Sequence, residues 1–183
     1  MDNFIKFAQE QLKQLPIDYG DIRIVKLKKE FFEGRNGSLE QAHTNKDEGF
    51  GIRILKDGNW GFAGSNIINE EAIDKTAKQA LESACATSSI QKMEIKFSTL
   101  APQIGTYQGP VKKDPFQMPF AEKVNFVTKI SKDMLINSKI ETSRCSMQFL
   151  KTNKYFASTE GSFISQEYII KGADIKAISF DNS

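Results

Sequence analysis

The sequence predicts an α+β fold in which two helix-plus-antiparallel-sheet units are joined by an irregular crossover. Three observations carry this expectation. Segments with apolar residues at helical spacing precede runs of strand-like character in both halves of the chain. Asn36-Gly37 and Asp57-Gly58 punctuate the first run as tight hairpin turns. Four of the five prolines (Pro102, Pro110, Pro115 and Pro119) fall in one stretch that breaks every regular pattern. The expected organisation is a first unit over 1–87 (helix, four-strand meander, helix), a Pro/Gly-rich crossover over 88–119, and a second helix with antiparallel strands over 120–183.

Taken in order, Asn3 to Leu15 place Phe4, Ala8, Leu12 and Leu15 on one helical stripe, and Pro16 stops the pattern. From Asp21 the period changes: Ile22, Ile24 and Leu27 begin an extended run that reaches Phe31 and Phe32 and turns at Asn36-Gly37. Ser38 to Thr44 is the expected partner strand, Gly49 to Leu55 a third, and Asn59 to Ala63 a fourth. Asn69 is placed to cap the next helix. Glu70 and Glu71 lie in its first turn, and Ile73, Ala77, Ala80, Leu81 and Ala84 form the stripe that should cover the sheet. After the crossover, Phe120, Val124, Val127, Ile130 and Met134 predict a third helix, and Cys145, Met147 and Phe149 alternate as one buried strand face.

The halves echo each other. Asn36-Gly37-Ser38-Leu39 leads into Gly49 to Ile54 as Glu160-Gly161-Ser162-Phe163 leads into Gly172 to Ile178, the pattern of a candidate internal repeat. On this register Ile178 stands as far before Asp181 as Ile54 does before Asp57, so the second unit is expected to be truncated and the chain to be a piece of a longer protein.

Composition excludes several function classes. Hydrophobic residues at 39% and charged residues at 26% fit a folded globular chain. Twenty-five Lys and Arg against 23 Asp and Glu are interspersed, and no basic cluster of the kind that neutralises phosphates is present, so no direct nucleic-acid partner is expected. The densest group, Lys26, Lys28 and Lys29, reads as a solvated sheet face. The N-terminal segment has no continuous apolar stretch, and neither a membrane association nor a signal peptide is expected; the chain should stay in the cytoplasm. Cys85, Cys145 and the single His43 cannot assemble a metal-ligand cluster, and both thiols are expected reduced in the core, with His43 on the surface. Gly49-x-Gly51 lacks the third glycine and following helix of a nucleotide fingerprint. Asp47-Glu48 and Glu70-Glu71 point in different directions and make no catalytic dyad. Two residues stand out as candidate substrate-binding groups. Trp60 is placed either to stack on a substrate or to anchor its hairpin, and Arg53 either to meet a peptide carboxylate or to pair with Glu40 or Asp57.

A series of motifs then carries a resemblance. Tyr19-Gly20-Asp21-Ile22-Arg23, Arg35 to Glu40, Gly49 to Ile54, and Asp57-Gly58-Asn59-Trp60-Gly61-Phe62-Ala63-Gly64-Ser65-Asn66 resemble, in order and spacing, the N-terminal part of TldD/PmbA-family proteins. Asp114-Pro115-Phe116, Glu122-Lys123, Ser158 to Gly161 and Gln166 extend the resemblance over nearly the whole chain, and Trp60 to Ala63 is closer to the TldD branch. What the resemblance implies is a bacterial or archaeal zinc metallopeptidase acting on peptides or unfolded segments. It further implies that subunits of this type form homo- or hetero-oligomers with TldD- or PmbA-type partners. The family's His-Glu-x-x-x-His motif and later Cys ligand are absent from these residues, so no catalytic or metal residue carries over and zinc is expected only in the full-length protein. The expected role is a non-catalytic N-terminal portion. The alternatives are a PmbA/TldE-like subunit without metal, or a peptide-binding scaffold that uses its sheet edges.

Overall fold

A computed structural model describes residues 1–88, 98 and 100–180. In chain order the elements are α1 (Asp2–Lys13), β1 (Tyr19–Arg35), β2 (Ser38–Lys56), β3 (Asn59–Ser65), α2 (Glu70–Ser88), β4 (Ile104–Gln108), α3 (Phe120–Asp133), β5 (Ile140–Ser158) and β6 (Phe163–Ser179). The strands form one six-stranded sheet in the order β3-β2-β1-β5-β6-β4, and the fold is α+β as expected.

Three expectations about the strands are corrected. The predicted four-strand meander contains three strands, because Ser38–Lys56 is continuous. Asn45-Lys46-Asp47-Glu48 holds neither a proline, which would remove a backbone donor, nor a glycine at positive φ, so its polarity marks a two-sided solvated strand and not a turn. The strand expected to begin at Gly172 likewise merges into β6. Finally, the sheet is mixed and not antiparallel throughout: within the stretch read as irregular crossover, Ile104–Gln108 pairs parallel with Phe163–Glu167. Backbone hydrogen bonding sets this pairing, since every β4 side chain is exposed and the entry is fixed by Phe163 N–H donating to the Gln103 carbonyl at 2.8 Å. The rest of that crossover at 89–97 and 99, and the turn expected at Asp181, lie outside the described residues.

The turn chemistry follows the sequence. Asn36 and Gly37 adopt φ of 48° and 82°, and Asp57 and Gly58 adopt 48° and 73°, the positive pair that a two-residue turn needs to match the strand twist. The second turn sets the β2–β3 register, Leu55 opposite Trp60 and Arg53 opposite Phe62.

The chain divides into two compact units, and each draws on both halves of the sequence. The first comprises Met1–Lys26, Asp47–Gln108 and Asn153–Glu167. Its core gathers Ile5, Ala8 and Leu12 of α1, Ile22 and Ile24 of β1, Phe50, Ile52 and Ile54 of β2, and Ile73, Ala77, Ala80 and Ala84 of α2. On α1 the centre of the buried stripe is Ile5, with Phe4 and Leu15 at its margin. The buried Gln9 ties this helix to the sheet by donating from Nε2 to the Ser158 carbonyl at 2.7 Å. Asn69 caps α2 as expected, its Oδ1 accepting from the Ala72 N–H at 2.8 Å, an interaction worth about 1 kcal/mol.

The second unit comprises Leu27–Lys46, Gly109–Thr152 and Tyr168–Ser183. Its smaller core is Phe32, Val127, Cys145, Met147 and Phe149, flanked by Phe116, Val124 and Ile130. The alternation predicted for 145, 147 and 149 is therefore a buried face. Of the two thiols expected in the core, only Cys145 is there; Cys85 is exposed, because it stands on the solvent side of α2 next to the buried Ala84.

Candidate functional site

Within the first unit, alternation along β1 puts Tyr19 and Asp21 on one face, beside Arg53 of β2 and Trp60 of β3. Asp21 is 1% exposed, and its Oδ2 accepts two hydrogen bonds from Arg53, from Nε at 2.9 Å and from Nη2 at 2.6 Å. Arg23 approaches its other oxygen at 3.4 Å. The Arg53 guanidinium also lies over the Trp60 ring, 4.5 Å from its centroid, and Trp60 meets Tyr19 edge-on at 5.9 Å and 81°. The candidate residues Arg53 and Trp60 are thus brought together. Arg53 does not take the partner expected for it. Asp57 lies beside Lys56 and accommodates the Asp18 carboxylate at its own N–H, while Glu40 is held by Arg35 and Arg144. The desolvated Asp21 is the stronger acceptor, since a buried carboxylate left without a cation is costly.

Electrostatics follow from this packing. Burial weakens the charge on Arg53, but its hydrogen bonds to Asp21 outweigh that and hold it firmly protonated. Burial, with Asp21 adding to it, pushes the Tyr19 phenol up to about 12 from an ordinary 10. A phenol raised in the folded state leaves stability intact below about pH 10 and lowers it as pH rises toward the folded value. An alkaline absorbance titration is expected to show a late tyrosinate phase that Tyr19→Phe removes; a titration complete by about pH 11 in the wild type would contradict it.

The second unit holds a buried charge centre that sequence pattern alone does not announce. Lys123 of α3, 2% exposed, donates a short hydrogen bond to Glu30 Oε2, and Lys28 reaches Glu30 Oε1 at 3.0 Å. The Lys123 ammonium is surrounded by the Phe32, Phe116 and Phe149 rings, with centroids at 5.6, 5.8 and 5.4 Å. Burial alone would raise the Glu30 carboxyl, but the hydrogen bonds from Lys123 and Lys28 outweigh it and keep it below the ordinary range. One signal was present: Lys123 falls three residues after Phe120 and four before Val127, inside the apolar stripe of α3 where a solvated lysine does not belong.

Nearby chemistry is limited. Burial, reinforced by Asp174, pushes the Cys145 thiol up, away from the thiolate a nucleophile needs. His43 is exposed, as expected, and stacks on Phe31 at 5.4 Å. Among the described residues, no three His, Cys, Asp or Glu side chains converge as a metal site. No described helix is long and apolar enough to cross a membrane.

Comparison with known proteins agrees with this architecture. Residues 20–84 match the family model for PmbA/TldA metallopeptidase domain 1. A metalloprotease of Methanocaldococcus jannaschii is 28% identical over 150 residues, which are 82% of this chain and 33% of that protein. Across the curated relatives the chain spans between 27% and 35% of their length. The fold is similar over the whole chain to that of a candidate modulator of DNA gyrase from Bacteroides thetaiotaomicron (TM-score 0.78, 12% identity, 42% of that protein). It is similar also to TldE from Thermococcus kodakarensis (TM-score 0.68, 17% identity, 100% of this chain and 40% of that one).

Proposed function

Because the chain belongs to the TldD/PmbA family, of which it carries N-terminal sequence, we propose that it is the non-catalytic N-terminal portion of a TldD-like zinc-dependent metallopeptidase that acts in the cytoplasm on peptides or unfolded segments. The observation that carries this reading is the match of residues 20–84 to the first domain of a metallopeptidase, joined to metalloprotease relatives of whose length the chain spans between 27% and 35%. The described residues do not fit a zinc ion. The lone histidine is committed to an aromatic stack at the surface, and Cys145 is buried with its thiol pushed up, so no catalytic step is assigned to this chain. In the whole protein its part would be to form a wall of the substrate chamber and to contact a second TldD- or PmbA-type subunit. The likeness to TldE supports a pairing of that kind.

Direct contact with nucleic acid is not part of the proposal, since two of the three densest lysines are engaged in ion pairs: Lys26 with Glu48 at 2.6 Å and Lys28 with Glu30 at 3.0 Å. The same TldE likeness favours a second reading, a subunit that binds no metal in any part of its sequence. Zinc content and peptidase activity, measured on this chain and on the longer product of its gene, decide between them. Zinc and activity confined to the longer product are expected. Neither in either protein would favour the TldE-like reading, and stoichiometric zinc in this chain would overturn both.

A further inference from the structure

We propose that the second unit carries a binding site for a small apolar carboxylate, distinct from the peptidase reading and independent of it. The site is an open cavity of about 420 Å³ between α3, the segment leading into it, β5 and β6. That volume lies in the range of small-molecule pockets, and a short apolar chain or an aromatic ring with one carboxylate fills only part of it. Its apolar floor is Met147 and Phe149, with Pro115 and Met118 on one wall and the half-exposed Phe126 on the other.

The rim decides the charge of the occupant. Lys113, Lys129 and Lys171 stand at it against one carboxylate, Glu122. Lys129 is spent on Asp133, one turn along α3 at 2.5 Å. Lys171 instead donates from Nζ to the Lys113 carbonyl at 2.9 Å, which holds its ammonium beside the segment that carries Lys113. Neither Lys113 nor Lys171 pairs with a carboxylate among the described residues. Phe149, which lines the cavity, also packs against the buried Lys123 ammonium at 5.4 Å, and Lys123 is itself paired with Glu30. An apolar cavity lined by two lysines that no carboxylate among the described residues neutralises is complementary to a molecule that has an apolar body and one terminal carboxylate. An apolar amine meets the same floor but the wrong rim.

Two sources share this chemistry, a free aliphatic acid and the C-terminal residue of a peptide, and the test separates them. Isothermal titration of the 183-residue chain would use octanoate against octylamine, and N-acetylphenylalanine against its amide. Saturable binding of at least one carboxylate, with the matched amine or amide weaker by about tenfold or more, is expected. A preference for octanoate identifies the free acid, and a preference for N-acetylphenylalanine identifies a peptide terminus. The Lys113→Gln/Lys171→Gln double variant should lose about tenfold in carboxylate affinity. Phe126→Asp, at a half-exposed rim position that the core does not need, should abolish binding while leaving the unfolding transition in place. Equal binding of carboxylate and amine, affinity indifferent to the lysine pair, or no saturation at millimolar concentration would each overturn the proposal.

Discussion

Replacing Lys123 by alanine is expected to destabilise the chain by about 3–5 kcal/mol, the cost of stripping a buried charge of its partner. Glu30 is 6% exposed and would be left with Lys28 alone, a lysine about one-third exposed and so a weaker counter-charge. The aromatic box of Phe32, Phe116 and Phe149 would lose its central group as well. Urea unfolding measures the effect as a lower midpoint at unchanged slope. A loss below about 1 kcal/mol would mean that water reaches the pair and that the burial argument fails. The double variant Lys123→Met/Glu30→Leu should be less harmful than Lys123→Ala, because an apolar pair of similar volume can replace a buried ion pair at little cost. The pair also makes a pH prediction. The folded Glu30 carboxyl lies below its unfolded value, so its contribution is present above about pH 4.3 and is lost as pH falls through the lower folded value. Glu30→Gln should flatten that part of the acid limb.

Gly61→Val is the second large effect expected, about 3 kcal/mol or more. A Cβ at this β3 position would run into the Ala80 carbonyl oxygen and the Ala84 nitrogen of α2, and would meet the Ala84 side chain at 2.9 Å. Two of these atoms are backbone, so no rotamer change relieves the contact and the helix has to move off the sheet. Gly105→Val is the matched control: it lies in β4 with nothing within 4 Å, and a valine in an exposed strand should be neutral or stabilising. If both substitutions cost the same, the close approach of α2 to β3 is not what Gly61 provides. Thermal unfolding of the two variants side by side is sufficient.

Features encoded within a few residues could be read directly. The helical stripes of α1 and α2, the Asn69 cap, and the turns at Asn36-Gly37 and Asp57-Gly58 all depend on short-range sterics and hydrogen bonding, and the chain forms them where the sequence places them. Strand continuity was not legible at Asn45 to Glu48, a polar run between two expected strands, or at Gly172, where the repeat register places a strand start; at neither does a residue force the chain to turn. The candidate site was legible in part. Trp60 and Arg53 are neighbours, but the carboxylate that fixes Arg53 is Asp21, 32 residues away and on another strand.

The sequence by itself determined an α+β chain, its principal turns and caps, and a resemblance to the TldD/PmbA family, because amphipathic period, turn chemistry and motif order are properties of neighbouring residues. Only the tertiary structure decided that Lys123 is buried on Glu30, that β4 runs parallel to β6 across 59 positions, that Gly61 admits α2, and that Lys171 reaches the Lys113 carbonyl beside an apolar cavity. Each of these joins groups far apart in sequence, and their energies depend on which atoms exclude water around them, a quantity that exists only once the elements have packed.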